Sequence, residues 1–233
     1  INGSGKHNNW SISTDKGDNL LDPGEMPNEN IQFLLFLAAI VKACDDHQDL
    51  LRVSVATAGN DHRLGANEAP PAISSIFMGD ELESVIEAIV NNSDYGNQDK
   101  VFMNIGANVL PNLPKDTTDR NRTSPFAFTG NKFEFRMPGS SQSIAGINVI
   151  LNAVVADSLS QIADVLEAAP DLDSALHVII PEIFRNHQRI IFNGNGYSDE
   201  WVQEAKRRGL LNLRTTPDAL PYFKSDANID MFE

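Results

Sequence analysis

Apolar positions recur with a helical period along most of this chain, and with a strand period at one place. Residues 1–30 are polar and glycine-rich, with a turn signal at Asp22-Pro23-Gly24. A nine-residue apolar run, Phe33 to Val41, follows Asn28 and Glu29 and predicts a helix starting at Asn28 and reaching about Cys44. Leu82, Val85, Ile86 and Ile89 share one face of a helix predicted over Asp80–Val90. From Ile144 the spacing of Ile147, Leu151, Val155, Leu159, Ile162 and Leu166 predicts a long amphipathic helix. Further helices are predicted over Leu172–Phe192, bent or broken at Pro181, and over Asp199–Arg208. Lys132-Phe133-Glu134-Phe135-Arg136 alternates polar and aromatic residues, the period of a half-buried strand with its three charges on one face. Residues 58–71 read as a polar loop. Residues 104–131, with Pro111, Pro114 and Pro125, read as a long irregular stretch, a length that in a compact domain is usually functional or disordered. The mix is α+β, with the strand, the long loops and two helices in 1–143 and a helical portion over 144–233.

Composition narrows the picture. The chain has 233 residues, 41% of them hydrophobic, which suffices for a core. A net charge of −14 excludes a dedicated nucleic-acid binder, which needs clustered Lys and Arg. The nine-residue apolar run is too short to cross a bilayer, so no membrane partner is expected. The single cysteine, Cys44, allows no internal disulfide and fits a reducing, cytoplasmic setting. The chain begins with Ile1 inside a glycine-rich motif, which reads as a piece of a longer protein.

Asn2-Gly3-Ser4-Gly5-Lys6-His7 fails as a phosphate loop. Its glycines are two apart instead of five, and His rather than Ser or Thr follows the Lys. The residues resemble something else. Asn-Gly-Ser-Gly-Lys-His-Asn-Asn-Trp-Ser, then Gly59-Asn60-Asp61-His62-Arg63-Leu64-Gly65-Ala66-Asn67-Glu68-Ala69-Pro70-Pro71, then Asn121-Arg122-Thr123-Ser124-Pro125, then Lys132-Phe133-Glu134-Phe135-Arg136 occur in the order found in glutamine synthetases. Their wording is similar to the long-chain type III members. The likeness continues through Gly139-Ser140-Ser141-Gln142-Ser143 and from Trp201 to Pro221.

That resemblance implies a catalytic domain with a curved antiparallel sheet or partial barrel, flanking helices and a largely helical C-terminal portion. It implies roles residue by residue. His7 and Glu134 hold Mg2+ or Mn2+, a reasonable imidazole–carboxylate pair for such an ion. Asn2, Gly3, Arg63 and Arg136 bind glutamate, with the guanidinium fork suited to carboxylates. Ser11, Asn9 and Lys132 contact ATP, and Arg122 stabilises the charge on the transferring phosphoryl group. Glu68 closes over the site and takes a proton from ammonium. Short-chain relatives often carry a second histidine where Asn9 stands, and a further ATP-contacting arginine where Ala127 stands. His47, His62, His177 and His187 have no motif behind them.

The activity so implied is ATP-dependent ligation of ammonia to L-glutamate through γ-glutamyl phosphate, in a homo-oligomer of stacked rings with sites between subunits. The rest of each site is expected upstream of Ile1 and on a neighbouring subunit, so the 233 residues alone are expected to be inactive. The rival readings are an inactive relative serving as an assembly protein, a ligase of amines to glutamate, and a binding module without chemistry.

Overall fold

The structure, a computed structural model, describes residues 4–66, 69–92 and 123–232. Asn2, Gly3, Glu68 and Arg122 lie outside them. Helix α1 (Ile31–Asp46) is the centre. Asn30, not Asn28, caps it, its side-chain oxygen accepting the Phe33 amide at 3.0 Å. The start falls two residues later than the sequence reading because the Asn30 amide is also tied to the Asp22 and Pro23 carbonyls of the preceding turn. Nearly every face of α1 is buried, including Phe33, Leu37, Ile40 and Val41. Such all-round apolarity is the mark of an interior helix.

Against α1 pack α5 (Ala145–Ala168) and α6 (Leu172–His187). Ile147, Leu151, Val155 and Ile162 of the expected stripe are buried, and Ser158 Oγ donates to the Ala39 carbonyl of α1 at 2.9 Å. At 24 residues α5 is long and apolar enough to cross a membrane, which the search for unbroken apolar runs missed. Its buried face is instead docked in the core. Helix α6 continues unbroken through Pro181, where a bend or break was expected. Ile180, Pro181, Ile183 and Phe184 are all buried, so packing compensates the hydrogen bond that proline cannot make. A short 3-10 turn, Gln188–Ile190, then ends the run.

The remaining helices are α2 (Gln48–Ser54), α3 (Ala58–Asp61), α4 (Asp80–Asn92), α7 (Asp199–Arg207), α8 (Thr216–Ala219) and α9 (Asp226–Phe232). The apolar face expected for α4 is the one it buries. Helix α3 gives a capped turn to a segment read as loop: Thr57 Oγ1 accepts the Asn60 amide.

Four short strands form one sheet in the order β1-β4-β3-β2: β1 (Asn8–Trp10), β2 (Ile76–Phe77), β3 (Phe126–Phe128) and β4 (Phe133–Phe135). The pairs β1–β4 and β4–β3 are antiparallel, but β2–β3 is parallel. The sheet described is therefore mixed, a correction to the antiparallel expectation. Strand β3 also lies within the stretch read as irregular. Its Phe-Ala-Phe is buried on both faces, so it shows no polar alternation to find.

Phe126 and Phe133 stack with ring centres 4.6 Å apart, Phe128 meets Phe133 edge-on, and Phe33 of α1 lies 5.8 Å from Phe128. On β1, Asn8 Nδ2 donates to Asn148 Oδ1 at 2.8 Å, and Trp10 Nε1 to Asn152 Oδ1 at 2.9 Å. Two residues one helical turn apart on α5 thus receive two residues on the inner face of the strand.

A buried ion pair joins α2, α3 and the C-terminal part. Arg52, 1% exposed, donates to Asp61 Oδ1 at 2.7 Å and to the Leu213 carbonyl at 2.6 Å. The Thr216 amide donates to Asp61 Oδ2 at 2.6 Å. Burial raises the Asp61 carboxyl, but the Thr216 bonds and the Arg52 bond and charge outweigh it and hold it below the usual aspartate range.

Leu37→Ala should cost about 2–5 kcal/mol by leaving a core cavity, against about 1 kcal/mol for Asn30→Ala through loss of the cap. Urea unfolding of the two variants checks that order. Asp61→Asn should destabilise at neutral pH by about 3 kcal/mol, since it leaves Arg52 buried without its counter-charge. A depressed folded-state pKa means that the Asp61 contribution is full above the unfolded value of about 3.9 and fades as pH falls through the folded value. Stability measured against pH should therefore show the two proteins converging below about pH 4.

Candidate metal and nucleotide site

Period-2 alternation sorts β1 and β4 into two faces. Asn8 and Trp10, Phe133 and Phe135 point into the core, and Asn9 and Glu134, directly paired across the ladder, point away. Ala127 is opposite Glu134 on the other side. The face away from the core thus gathers Asn9, Glu134 and Ala127 in one row, with His7 and Arg136 beside it.

Glu134 is held from both sides. His7 Nδ1 lies 2.8 Å from its Oε1, and Arg136 Nε and Nη2 donate to its Oε2 at 2.9 and 2.7 Å. Burial raises the Glu134 carboxyl. The Arg136 hydrogen bonds and charge, then the His7 bond and charge, more than offset that and keep it ionised below the usual glutamate range. The donor set fits a hard divalent cation: adjacent donors about 2.1 Å from one ion stand about 3 Å apart, close to the His7–Glu134 separation. Arg136 would keep the second carboxylate oxygen in place.

Ser11 is exposed at the far end of β1. Its hydroxyl donates to Asn19 Oδ1 at 2.6 Å, and Asn19 Nδ2 donates to the Asn131 carbonyl at 2.7 Å. This ties the start of the chain to the β3–β4 turn, where Gly130 takes a φ of +93° that favours glycine. Lys132, half-buried, leaves that turn to enter β4.

Arg63 lies beneath the opening segment and is buried. Its Nη1 donates to the Met137 and Pro138 carbonyls at 2.8 and 3.1 Å, and its Nη2 to the Arg136 carbonyl at 3.0 Å. A β-carbon on Gly5 would stand 2.1 Å from Arg63 Nη2, so glycine is required for this approach. The Lys6 amide donates to the Pro138 carbonyl, and Gly5 bridges Gly139. The candidates His7, Asn9, Ser11, Lys132, Glu134, Arg136 and Arg63 are therefore brought to one sheet and its edge.

The unsupported histidines go elsewhere. His47 meets Asp157 at 3.2 Å. His187 meets Asp45 at 2.9 Å and Asp46 at 3.6 Å, a second group with metal-ligand spacing among the described residues. Arg189 and Lys42 pair with those same carboxylates, so the group is already charge-compensated. Asn60, Arg52 and Asp61 went unread as contributors. Only Gly59 within α3 and Gly65 just beyond it pointed to a tight turn there.

Comparison with known proteins agrees with this geometry. The glutamine synthetase C-terminal domain family matches residues 175–233. The type-3 glutamine synthetase of Dictyostelium discoideum is 54% identical over all of this chain, which covers 32% of that protein. A glutamine synthetase of Butyrivibrio fibrisolvens is 49% identical over all of it, covering 33% of that protein, and one of Bacteroides fragilis is 47% identical over 96%, covering 32%. The chain thus spans about a third of the length of these curated relatives. About half its residues are shared with these glutamine synthetases over nearly its whole length, and its residues 175–233 match the C-terminal domain of that family.

Proposed function

We propose that the complete protein is a type III glutamine synthetase, a glutamate–ammonia ligase that uses ATP and Mg2+ or Mn2+. The observation that carries this reading is the His7–Glu134–Arg136 constellation on one face of β1 and β4. His7 and Glu134 would hold the ion, which neutralises phosphate charge and orients the phosphoryl group when bound. Arg136 fixes the Glu134 carboxylate and, with Asn2 and Gly3, would bind the glutamate. Arg63, expected to share that role, is instead buried on the Arg136, Met137 and Pro138 carbonyls and supports the site from beneath. Ser11, Asn9 and Lys132 line the ATP side.

The γ-carboxylate of glutamate attacks the γ-phosphorus of ATP, releasing ADP and giving γ-glutamyl phosphate. Arg122 compensates the charge spread over the transferring oxygens. Ammonium gives a proton to Glu68. The resulting ammonia attacks the acyl carbon, the C–O bond to phosphate breaks, and glutamine and inorganic phosphate leave. Assembly as a homo-oligomer with sites between subunits, and a cytoplasmic location, belong to the same reading on the strength of the family resemblance.

Glutamine and phosphate formation by the full-length protein, from glutamate, ammonia and ATP across a Mg2+ or Mn2+ titration, is the direct test. Glu134→Ala should lower turnover at least about a hundredfold and weaken the metal dependence. Full activity in that variant, or a wild-type protein that is inert at every metal concentration, would overturn the assignment.

A further inference from the structure

We propose that Asn60 is a positioning residue of this site, holding the exit of β4 so that Glu134 and Arg136 face His7. The inference rests on the functional reading above and begins with a register slip. Asn8 pairs with Phe135, whereas Gly5 bridges Gly139. Three steps along the β1 side match four along the β4 side. The extra residue makes a bulge over Arg136–Pro138, a device that turns the chain and re-aims a side chain.

A bulge takes carbonyls out of the ladder, and buried carbonyls need partners. Asn60 and Arg63 supply them. Asn60 is 3% exposed. Its Nδ2 donates to the Met137 carbonyl at 3.0 Å and to the Val55 carbonyl at 2.9 Å, and its Oδ1 accepts from Arg63 Nη1 at 3.3 Å. Both amide protons meet carbonyls while its oxygen meets a guanidinium, so the side-chain orientation is fixed by its partners. Gly139 packs on the same group: a β-carbon there would stand 3.2 Å from Asn60 Oδ1.

The Asn60 amide therefore does two things at once. It anchors the carbonyl one residue beyond Arg136, and it orients the arginine that holds the three carbonyls of the bulge. Aspartate would set a carboxylate oxygen against two carbonyls, and alanine would leave the Met137 carbonyl with one donor fewer.

The test uses the full-length protein and measures Mn2+ affinity by the EPR signal of free Mn2+, together with KM for glutamate and for ATP. Val155→Ala, a core truncation on α5 at a residue outside the candidate site, serves as the stability control. Asn60→Ala should weaken Mn2+ binding about tenfold or more and raise the glutamate KM similarly, beyond any change in the control at matched thermal stability. Thr57→Ala, which removes the hydroxyl that accepts the Asn60 main-chain amide along with one methyl, should shift both in the same direction by about two- to threefold, and it decides the matter if Asn60→Ala does not assemble. Mn2+ affinity and KM within twofold of wild type, with stability lost as in Val155→Ala, would overturn the positioning role. A wild-type protein that binds Mn2+ but forms no glutamine would overturn the functional reading alone, leaving the clamp to be judged by Mn2+ affinity.

Discussion

Burial of Phe133 and Phe135 determines where Glu134 can go. Both rings sit in the aromatic layer between the sheet and α1, and a strand cannot turn one residue without turning its neighbours. Glu134 is thereby presented on the opposite face, across the ladder from Asn9 and within reach of His7 and Arg136. A slip of one residue would bury the carboxylate and expose two phenyl rings. The hydrophobic layer and the candidate site are thus two sides of one register, and the core fixes the ligand geometry before any ion or substrate is present.

Around that register the polar contacts divide into two tasks. His7 and Arg136 keep the Glu134 carboxylate charged and oriented, which suits it to a cation rather than a proton. Asn60, Arg63 and Gly5 satisfy the main chain where β4 leaves the ladder. One turn of α3 carries both Asn60 and Asp61, and Asp61 faces the other way, toward Arg52 and Thr216. The C-terminal part is therefore fastened to the same short helix that supports the bulge.

Much of this was legible in the sequence where a pattern was periodic. The buried stripes of α4 and α5 and the alternation in β4 follow from spacing alone, and the ordered motifs pointed to the same family as the comparisons. Three features were not legible, each for a physical reason. Strand β3 is buried on both faces and so has no alternation. Pro181 signals a break that burial of its ring overrides. Asn60 acts through carbonyl oxygens, which every residue possesses, so its partners leave no trace in side-chain identity. Of the site itself, the sequence assigned residue types to roles. Arg63 seated on the bulge carbonyls and Arg136 bracing Glu134 emerge only from the packing.

The burial of α1 also sets a time scale. Its capped first turn, its buried middle turns and the layers of β3, α5 and α6 around them leave the central amide hydrogens little local route to solvent. They exchange with deuterium only when the whole core opens, whereas those of the half-exposed α9 exchange by local fraying. Among the described residues, slow exchange is therefore expected in a helix that carries none of the candidate site residues, where it reports global stability directly.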